Sequence, residues 1–208
     1  MLSNEKFDTW SETYDVSIGH NDSTDYPFAG YHDVLAYIQQ EIPVMGAPRI
    51  LDIGVGTGLL SQPLYNRGAS IRGTDFSEKM LDVAQRKMPE GTFLCADFTF
   101  GIKDVFEDIT FNYIISSYAL HHLTFDEKVD ILSVLVRKLT DDGKILIGDI
   151  AFENHHEFEK CKKKAGSTWD EDEEYFIASE IIPALRERKI KASYTKISFC
   201  AGVLLIMQ

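Results

Sequence analysis

Long apolar runs are missing from this chain. The longest, such as Ala201–Met207, fall far short of the roughly 20 residues that a bilayer-spanning helix needs, so no membrane partner is expected. The opening residues Met1-Leu2-Ser3-Asn4-Glu5-Lys6 lack a basic region followed by an apolar stretch, and no secretory signal is visible. Cysteine is scarce. Cys95, Cys161 and Cys200 are widely separated and have no metal-ligand spacing, so they read as reduced thiols of a cytoplasmic protein. Positive charge is also scarce: 21 Lys and Arg stand against 33 Asp and Glu, for a net charge of −12. That balance argues against a nucleic-acid partner, whose phosphates favour basic surfaces. The lysines that cluster at 160–164 are followed closely by the acidic run Asp170–Glu174, and the pair reads as solvated surface. Neither an internal repeat nor a low-complexity segment appears. What remains, 208 residues with 44% apolar and 26% charged side chains, suits one domain with a single substantial core.

The stretch Arg49-Ile50-Leu51-Asp52-Ile53-Gly54-Val55-Gly56-Thr57-Gly58-Leu59-Leu60 organises the chain. An apolar run ending in an aspartate, three alternating glycines and a new apolar pattern read as a buried strand, a tight turn and the start of a helix. Glycine there permits positive φ and close approach of a ligand to the backbone, and the helix start offers unpaired N–H groups to an anion or carboxylate. A dinucleotide fingerprint, Gly-x-Gly-x-x-Gly, would need glycine at position 59, which is Leu59, so NAD is disfavoured.

Downstream of this loop, strands and helices alternate. Strands are expected at Ile50–Ile53, Ser70–Asp75, Thr92–Ala96, Phe111–Ser116 and Lys144–Asp149, the last entered through an Asp142-Gly143 turn. Helices are expected at about Leu59–Asn66, from Ser77 to Met88, weakly at Ile102–Phe106, and from the capping box Thr124-Phe125-Asp126-Glu127 to about Leu139. Such alternation implies a parallel sheet with helices on both faces. A mostly helical section from about Asn154 to Arg188 and an antiparallel hairpin, Tyr194–Phe199 with Val203–Met207 joined at Cys200-Ala201-Gly202, complete the chain. Upstream, a helix from about Tyr31 to Gln40 buries Val34, Leu35 and Ile38, and Phe7, Trp10 and Tyr14 fall on one face of a shorter one.

The run Asp52-x-Gly54-x-Gly56-x-Gly58 resembles the first motif of the class I S-adenosylmethionine-dependent methyltransferases, and Ser117-Tyr118-Ala119-Leu120-His121-His122-Leu123 resembles the fourth motif of its small-molecule members. The resemblance covers most of residues 50–150. It implies an α/β, doubly wound, mostly parallel seven-stranded sheet with a C-terminal antiparallel hairpin. It also implies S-adenosylmethionine as cofactor, S-adenosylhomocysteine as product and a small-molecule acceptor. In that family the loop of Gly54, Gly56 and Gly58 lies under the methionine part of the cofactor, and the acid at Asp52 helps hold its amino group. Asp97 would meet the adenine amino group, with Phe76 and Phe98 beside the base, and Ser117 would lie near the reacting end.

Asp75 ends the second strand where doubly wound nucleotide-binding folds place an acid for the ribose hydroxyls; capping the following helix is the competing role. His121 or His122 would serve as a general base, or else shape the loop. They are too close together, with no third ligand nearby in sequence, to suggest a metal site. Residues 1–48 are expected to form a helical lid that brings Trp10 and Tyr14 toward the sulfonium, 49–150 the cofactor-binding core, and 151–208 a helical insertion and the hairpin. Trp169, Tyr175 and Phe176 would either cover the acceptor pocket or belong to an amphipathic helix packed on the sheet. A sensor or scaffold that binds the cofactor without transferring its methyl is the alternative function.

Overall fold

A computed structural model describes residues 25–43, 45–98, 106 and 108–208. Phe7, Trp10 and Tyr14, and with them the expected lid contacts, lie outside the described residues, as does most of the weak helix expected at Ile102–Phe106.

Strand β1 (Arg49–Ile53) occupies the middle of the sheet because four of its five side chains are buried. It pairs in parallel with β2 (Ser70–Asp75) on one side and β4 (Phe111–Ser117) on the other. Beyond these lie β3 (Thr92–Cys95), parallel to β2, and β5 (Leu139–Phe152), parallel to β4. The sheet ends with β8 (Ala201–Met207), antiparallel to β5, and β7 (Lys191–Lys196), antiparallel to β8, in the order β3-β2-β1-β4-β5-β8-β7. A two-residue strand, β6 (Phe176–Ile177), pairs with the end of β5 off this path. The chain reverses direction along the sheet between β1 and β4, the switch point outside which open α/β sheets bind ligands.

Apolar runs in the central strands serve two cores, as strands covered on both faces require. Ile50, Ile71, Ile115, Leu146 and Val203 pack under helices α1 (Tyr31–Glu41), α2 (Gln62–Asn66) and α3 (Glu78–Lys87). Leu51, Ile53, Ile114, Ile145 and Leu204 pack under α4 (Phe125–Val136) and α6 (Ala178–Glu187). Helix α5 (His155–Ala165) lies at the end of β5 with Cys161 buried. The local start signals hold: Thr124 and Glu127 form a reciprocal capping box, and the Ser77 side chain accepts from Met80 N–H. Helix α1 belongs to the core. Val34 and Ile38 are fully buried, and a Cβ on Gly148 of β5 would overlap Val34 Cγ1.

Several boundaries differ from the sequence reading. Helix α2 begins at Gln62 because residues 54–61 remain in a turn until Pro63 sets the first helical turn. Helix α4 stops at Val136, since Leu139 already pairs with Phe111; the expected Asp142-Gly143 turn is an irregularity within β5. The hairpin connection is Ile197–Cys200, because Gly202 pairs with Lys196. Residues 169–175 are not helical. Among the described residues no helix is long and apolar enough to cross a membrane.

Candidate active site

The three loop glycines all have positive φ, +70°, +53° and +84° at Gly54, Gly56 and Gly58, but their surroundings differ. A Cβ on Gly54 would come 2.6 Å from Ala119 Cβ, and one on Gly58 2.6 Å from Met88 Cε. Those two glycines let neighbouring chain pack closely. A Cβ on Gly56 would meet nothing within 4 Å among the described residues. That position faces open space above the carboxyl ends of the strands.

Two buried aspartates underlie the loop. Asp52 is 1% exposed; Ser61 Oγ donates to its Oδ2, while its buried Oδ1 has no hydrogen-bond partner among the described residues. Burial pushes its pKa up to about 7, with Ser61 opposing the shift and the charge of Asp75 adding to it. Asp75 accepts Gly56 N–H at 2.9 Å on Oδ2 and Ser77 N–H at 3.0 Å on Oδ1. The helix-start role is visible locally in the bond to Ser77, and the bond to Gly56 ties the same carboxylate to the glycine loop. Burial raises its pKa as well, against these backbone hydrogen bonds. The Phe76 backbone adds a weaker bond, and a carboxylate with about four acceptor positions still has room for a further donor.

The remaining expected contacts distribute along the same edge. Ala96 N–H donates to Asp75 O at 2.9 Å, which brings the turn after β3, with exposed Asp97, beside the end of β2. Phe76 is half-buried, whereas Phe98 packs into the core next to Gly54. Ser117 is half-buried at the end of β4, and Ser116, beside it, is fully buried and donates to Ile53 O at 2.7 Å.

The histidines occupy a 3-10 turn, Leu120–His122, directly after β4. His121 is buried, and its Nδ1 donates to Asp149 Oδ1 at 2.6 Å. Asp149 lies in β5, 1% exposed, and also accepts from Leu120 N–H at 3.1 Å and Ile150 N–H at 2.8 Å. The other ring nitrogen, Nε2, lies 3.5 Å from Glu173 Oε1. Burial lowers the His121 pKa, but Asp149 and Glu173 outweigh it and the net shift is upward. His122 goes the opposite way, to about 4, through burial and the neighbouring His121. Glu173 Oε1 is also 3.9 Å from His122 Nδ1, and Tyr175 OH donates to its Oε2 at 3.0 Å. Tyr175 OH also hydrogen-bonds Tyr26 OH, and the Tyr26 ring stacks on Trp169 at 4.9 Å. Residues 25–30 and 169–176 thus form one aromatic wall beside the histidine turn, with Tyr118 stacked on Tyr31 at 4.6 Å.

Residues 50–143 match the family model described as a methyltransferase domain. An uncharacterized methyltransferase of Staphylococcus carnosus is 31% identical over 179 residues, which span 85% of this chain and 80% of that protein. The chain belongs to the class I S-adenosylmethionine-dependent methyltransferases. Solved structures share the fold. A chain in the complex of the Haloferax volcanii Trm112 methyltransferase activator with a putative methyltransferase aligns with TM-score 0.73 and 16% identity, covering 99% of this chain and 97% of that one. Magnesium protoporphyrin IX methyltransferase of Synechocystis, solved with bound SAH, aligns with TM-score 0.64 and 22% identity over 85% of this chain and 81% of that one.

The open space over Gly56 and the buried Asp52 Oδ1, unpartnered among the described residues, fit an ammonium-bearing cofactor at the loop of this methyltransferase. Three residues that bear on its site were not singled out in the sequence. Asp149 was read only as the end of a strand, although an acid at the carboxyl end of a strand beside the switch point is itself a signal. Glu173 lay inside a run taken as solvated surface; the rest of that run agrees better, with Lys162 and Glu171 forming an exposed pair at 2.7 Å. Glu173 turns inward because Tyr175 and His121 hold it. Tyr26 gave no signal beyond its aromatic character.

Proposed function

We propose that the methyltransferase acts on a small molecule in the cytoplasm, which it receives between the glycine loop and the wall formed by Tyr26, Tyr118, Glu173 and Tyr175. The observation that carries this reading is the contiguity of the two loops: Ala119, in the turn that leads to the histidines, packs directly on Gly54. A ligand over Gly56 therefore presents its far end to His122 and Glu173. The net charge of −12 disfavours a nucleic-acid acceptor, and the wall of side chains favours a compact one.

Bound S-adenosylmethionine supplies an electrophilic methyl on a sulfonium. The chain's own residues bind and align. Asp52 would hold the amino group, Asp75 the ribose hydroxyls, and Asp97 with Phe76 and the Phe98 backbone the adenine, while Ser117 would border the reacting end. His121, with both ring nitrogens facing carboxylates, holds position rather than shuttling protons. His122, with its pKa lowered to about 4, is a weak base. Alignment is then the main source of rate. The deciding assay supplies labelled methyl donor to metabolite pools and to macromolecular fractions separately. Label appearing only in protein or RNA would refute the small-molecule reading.

Asp52 links cofactor binding to pH. Its folded pKa of about 7 stands above the model-peptide value of 3.8, so the native state holds a proton that the unfolded state has released. The contribution of Asp52 to the stability of the ligand-free protein should fall as pH rises from about 4 to about 7, by on the order of 4 kcal/mol, and stay constant above that. A ligand ammonium beside Oδ1 favours the carboxylate. Binding of S-adenosylhomocysteine at pH 6 should therefore release close to one proton, and almost none at pH 8. Calorimetry in buffers of different ionisation enthalpy measures this directly. Buffer-independent heats at pH 6 would place the amino group elsewhere.

A further inference from the structure

We propose that His121 Nε2, His122 Nδ1 and Glu173 Oε1 form a binding site for a divalent first-row transition cation, which in turn holds an oxygen-bearing methyl acceptor. The clause about the acceptor rests on the small-molecule reading above; the cation site does not.

The two adjacent histidines suggest no such site alone. The fold supplies the third ligand from the loop before β6. Single ligand atoms of the three residues all lie within 4.8 Å of one another. Glu173 Oε1 is 3.5 Å from His121 Nε2 and 3.9 Å from His122 Nδ1. Tetrahedral ligands about 2.0–2.1 Å from an ion stand roughly 3.4 Å apart, so the two Glu173 contacts are within a few tenths of an ångström of that spacing and the histidine pair, within 4.8 Å, closes the set by drawing together. The more exposed His122 side chain has the freedom to move; 32% of its surface is accessible, against 9% for His121.

The outer partners point the same way. A metal-bound imidazole usually donates its second N–H to a carboxylate, which fixes the tautomer and aims the other nitrogen at the ion. His121 does this to Asp149 at 2.6 Å, leaving Nε2 toward Glu173. The ligating carboxylate is oriented as well: Tyr175 OH donates to Glu173 Oε2 at 3.0 Å, and Oε1 faces the histidines. Backbone ties the two halves together, since Glu174 N–H donates to His121 O at 3.0 Å. Lys128, whose ammonium is engaged by Leu123 O and by Glu174 O at 2.7 Å, pins the same segment without entering the cluster.

Two imidazoles and one carboxylate suit Zn²⁺ and its first-row neighbours better than Mg²⁺ or Ca²⁺, which favour all-oxygen shells. Three protein ligands leave a fourth position open, the arrangement of catalytic rather than structural zinc sites. The cluster lies at the carboxyl ends of β4 and β5, on the acceptor side of the glycine loop. An acceptor oxygen can occupy the open position.

Calorimetric titration of the chelator-treated full chain with Zn²⁺, with and without saturating S-adenosylhomocysteine, tests the site. One equivalent should bind, and Glu173→Gln or His122→Ala should weaken it by about a hundredfold or more, beyond what loss of an outer partner costs. Glu173→Gln keeps an acceptor for Tyr175 OH and His122 is partly exposed, so both variants should fold, which thermal denaturation checks. Wild-type protein that binds S-adenosylhomocysteine but no Zn²⁺ would overturn the site and leave the methyltransferase reading intact. Zn²⁺ binding undiminished in both variants would also overturn it, by locating the ion on other donors such as Cys95.

Discussion

Gly56→Val is expected to abolish measurable binding of S-adenosylmethionine and S-adenosylhomocysteine while leaving a folded chain. Gly56 is the loop glycine whose Cβ would enter open space, so a side chain there fills volume meant for the ligand rather than displacing protein. Its N–H on Asp75 can persist, since that bond needs only backbone. The variant must adopt φ near +53° with a β-branched residue, which costs about 1–2 kcal/mol of the 5–15 kcal/mol typical of a domain. Thermal denaturation should therefore fall by roughly 2–8 °C, while calorimetry should show affinity for S-adenosylhomocysteine reduced more than about a hundredfold. Valine at Gly54 or Gly58 should act differently. There the new atoms meet Ala119 or Met88 at 2.6 Å, and stability itself should suffer first. Parent-like affinity in a folded Gly56→Val protein would mean that the cofactor does not cross this glycine.

Local chemistry in the sequence located most of the fold. The glycine loop, the Ser77 cap and the Thr124 capping box depend on residues within a few positions of one another, and all three appear where the spacing places them. Elements defined by distant partners were less legible. β6 is two residues long and exists because Phe176 and Ile177 meet Ala151 and Phe152. Nothing local marks it. β5 runs to Phe152, past the expected end at Asp149, because β8 and β6 offer it partners there. The stretch 169–175 falls in the section from about Asn154 to Arg188 expected to be mostly helical. It is instead a loop whose rings, Trp169 and Tyr175, pack on Tyr26 and Phe152.

The site divides along the same line. Asp52, the glycines and Asp75 sit in one βαβ unit, and their spacing alone brings them together. The acceptor side joins β4, β5 and the 169–176 loop, so its charges meet only through the fold. Glu173 illustrates the difficulty: five consecutive acids look alike in sequence, and the contacts with His121 and Tyr175 that turn this one inward form only in the fold. The carboxylate facing the histidines comes from a distant loop rather than from their neighbours in sequence.

Asp149→Ala should be the most destabilising single change at the acceptor side, by about 3–5 kcal/mol. Asp149 is 1% exposed and accepts three hydrogen bonds, from Leu120 N–H, Ile150 N–H and His121 Nδ1. Alanine leaves all three donors buried without an acceptor, and leaves His121 facing the desolvated site with Glu173 as its nearest carboxylate. The cost has a local address, because Leu120 and His121 form the 3-10 turn that follows β4. Losing its anchor should loosen the turn that packs on the glycine loop through Ala119. Asp149→Asn should fall in between: its carbonyl oxygen still accepts a backbone N–H, while its NH₂ faces a ring nitrogen that must then change tautomer. Denaturant unfolding of Asp149→Ala, His121→Ala and the double variant forms a cycle that isolates the pair. A coupling of at least about 1.5 kcal/mol is expected, since hydrogen bonds to charged groups are worth roughly 1.5–3 kcal/mol. If Asp149→Ala loses less than about 1 kcal/mol, water or a rearranged turn satisfies the three donors, and the rigid histidine turn on which the acceptor site depends is not rigid.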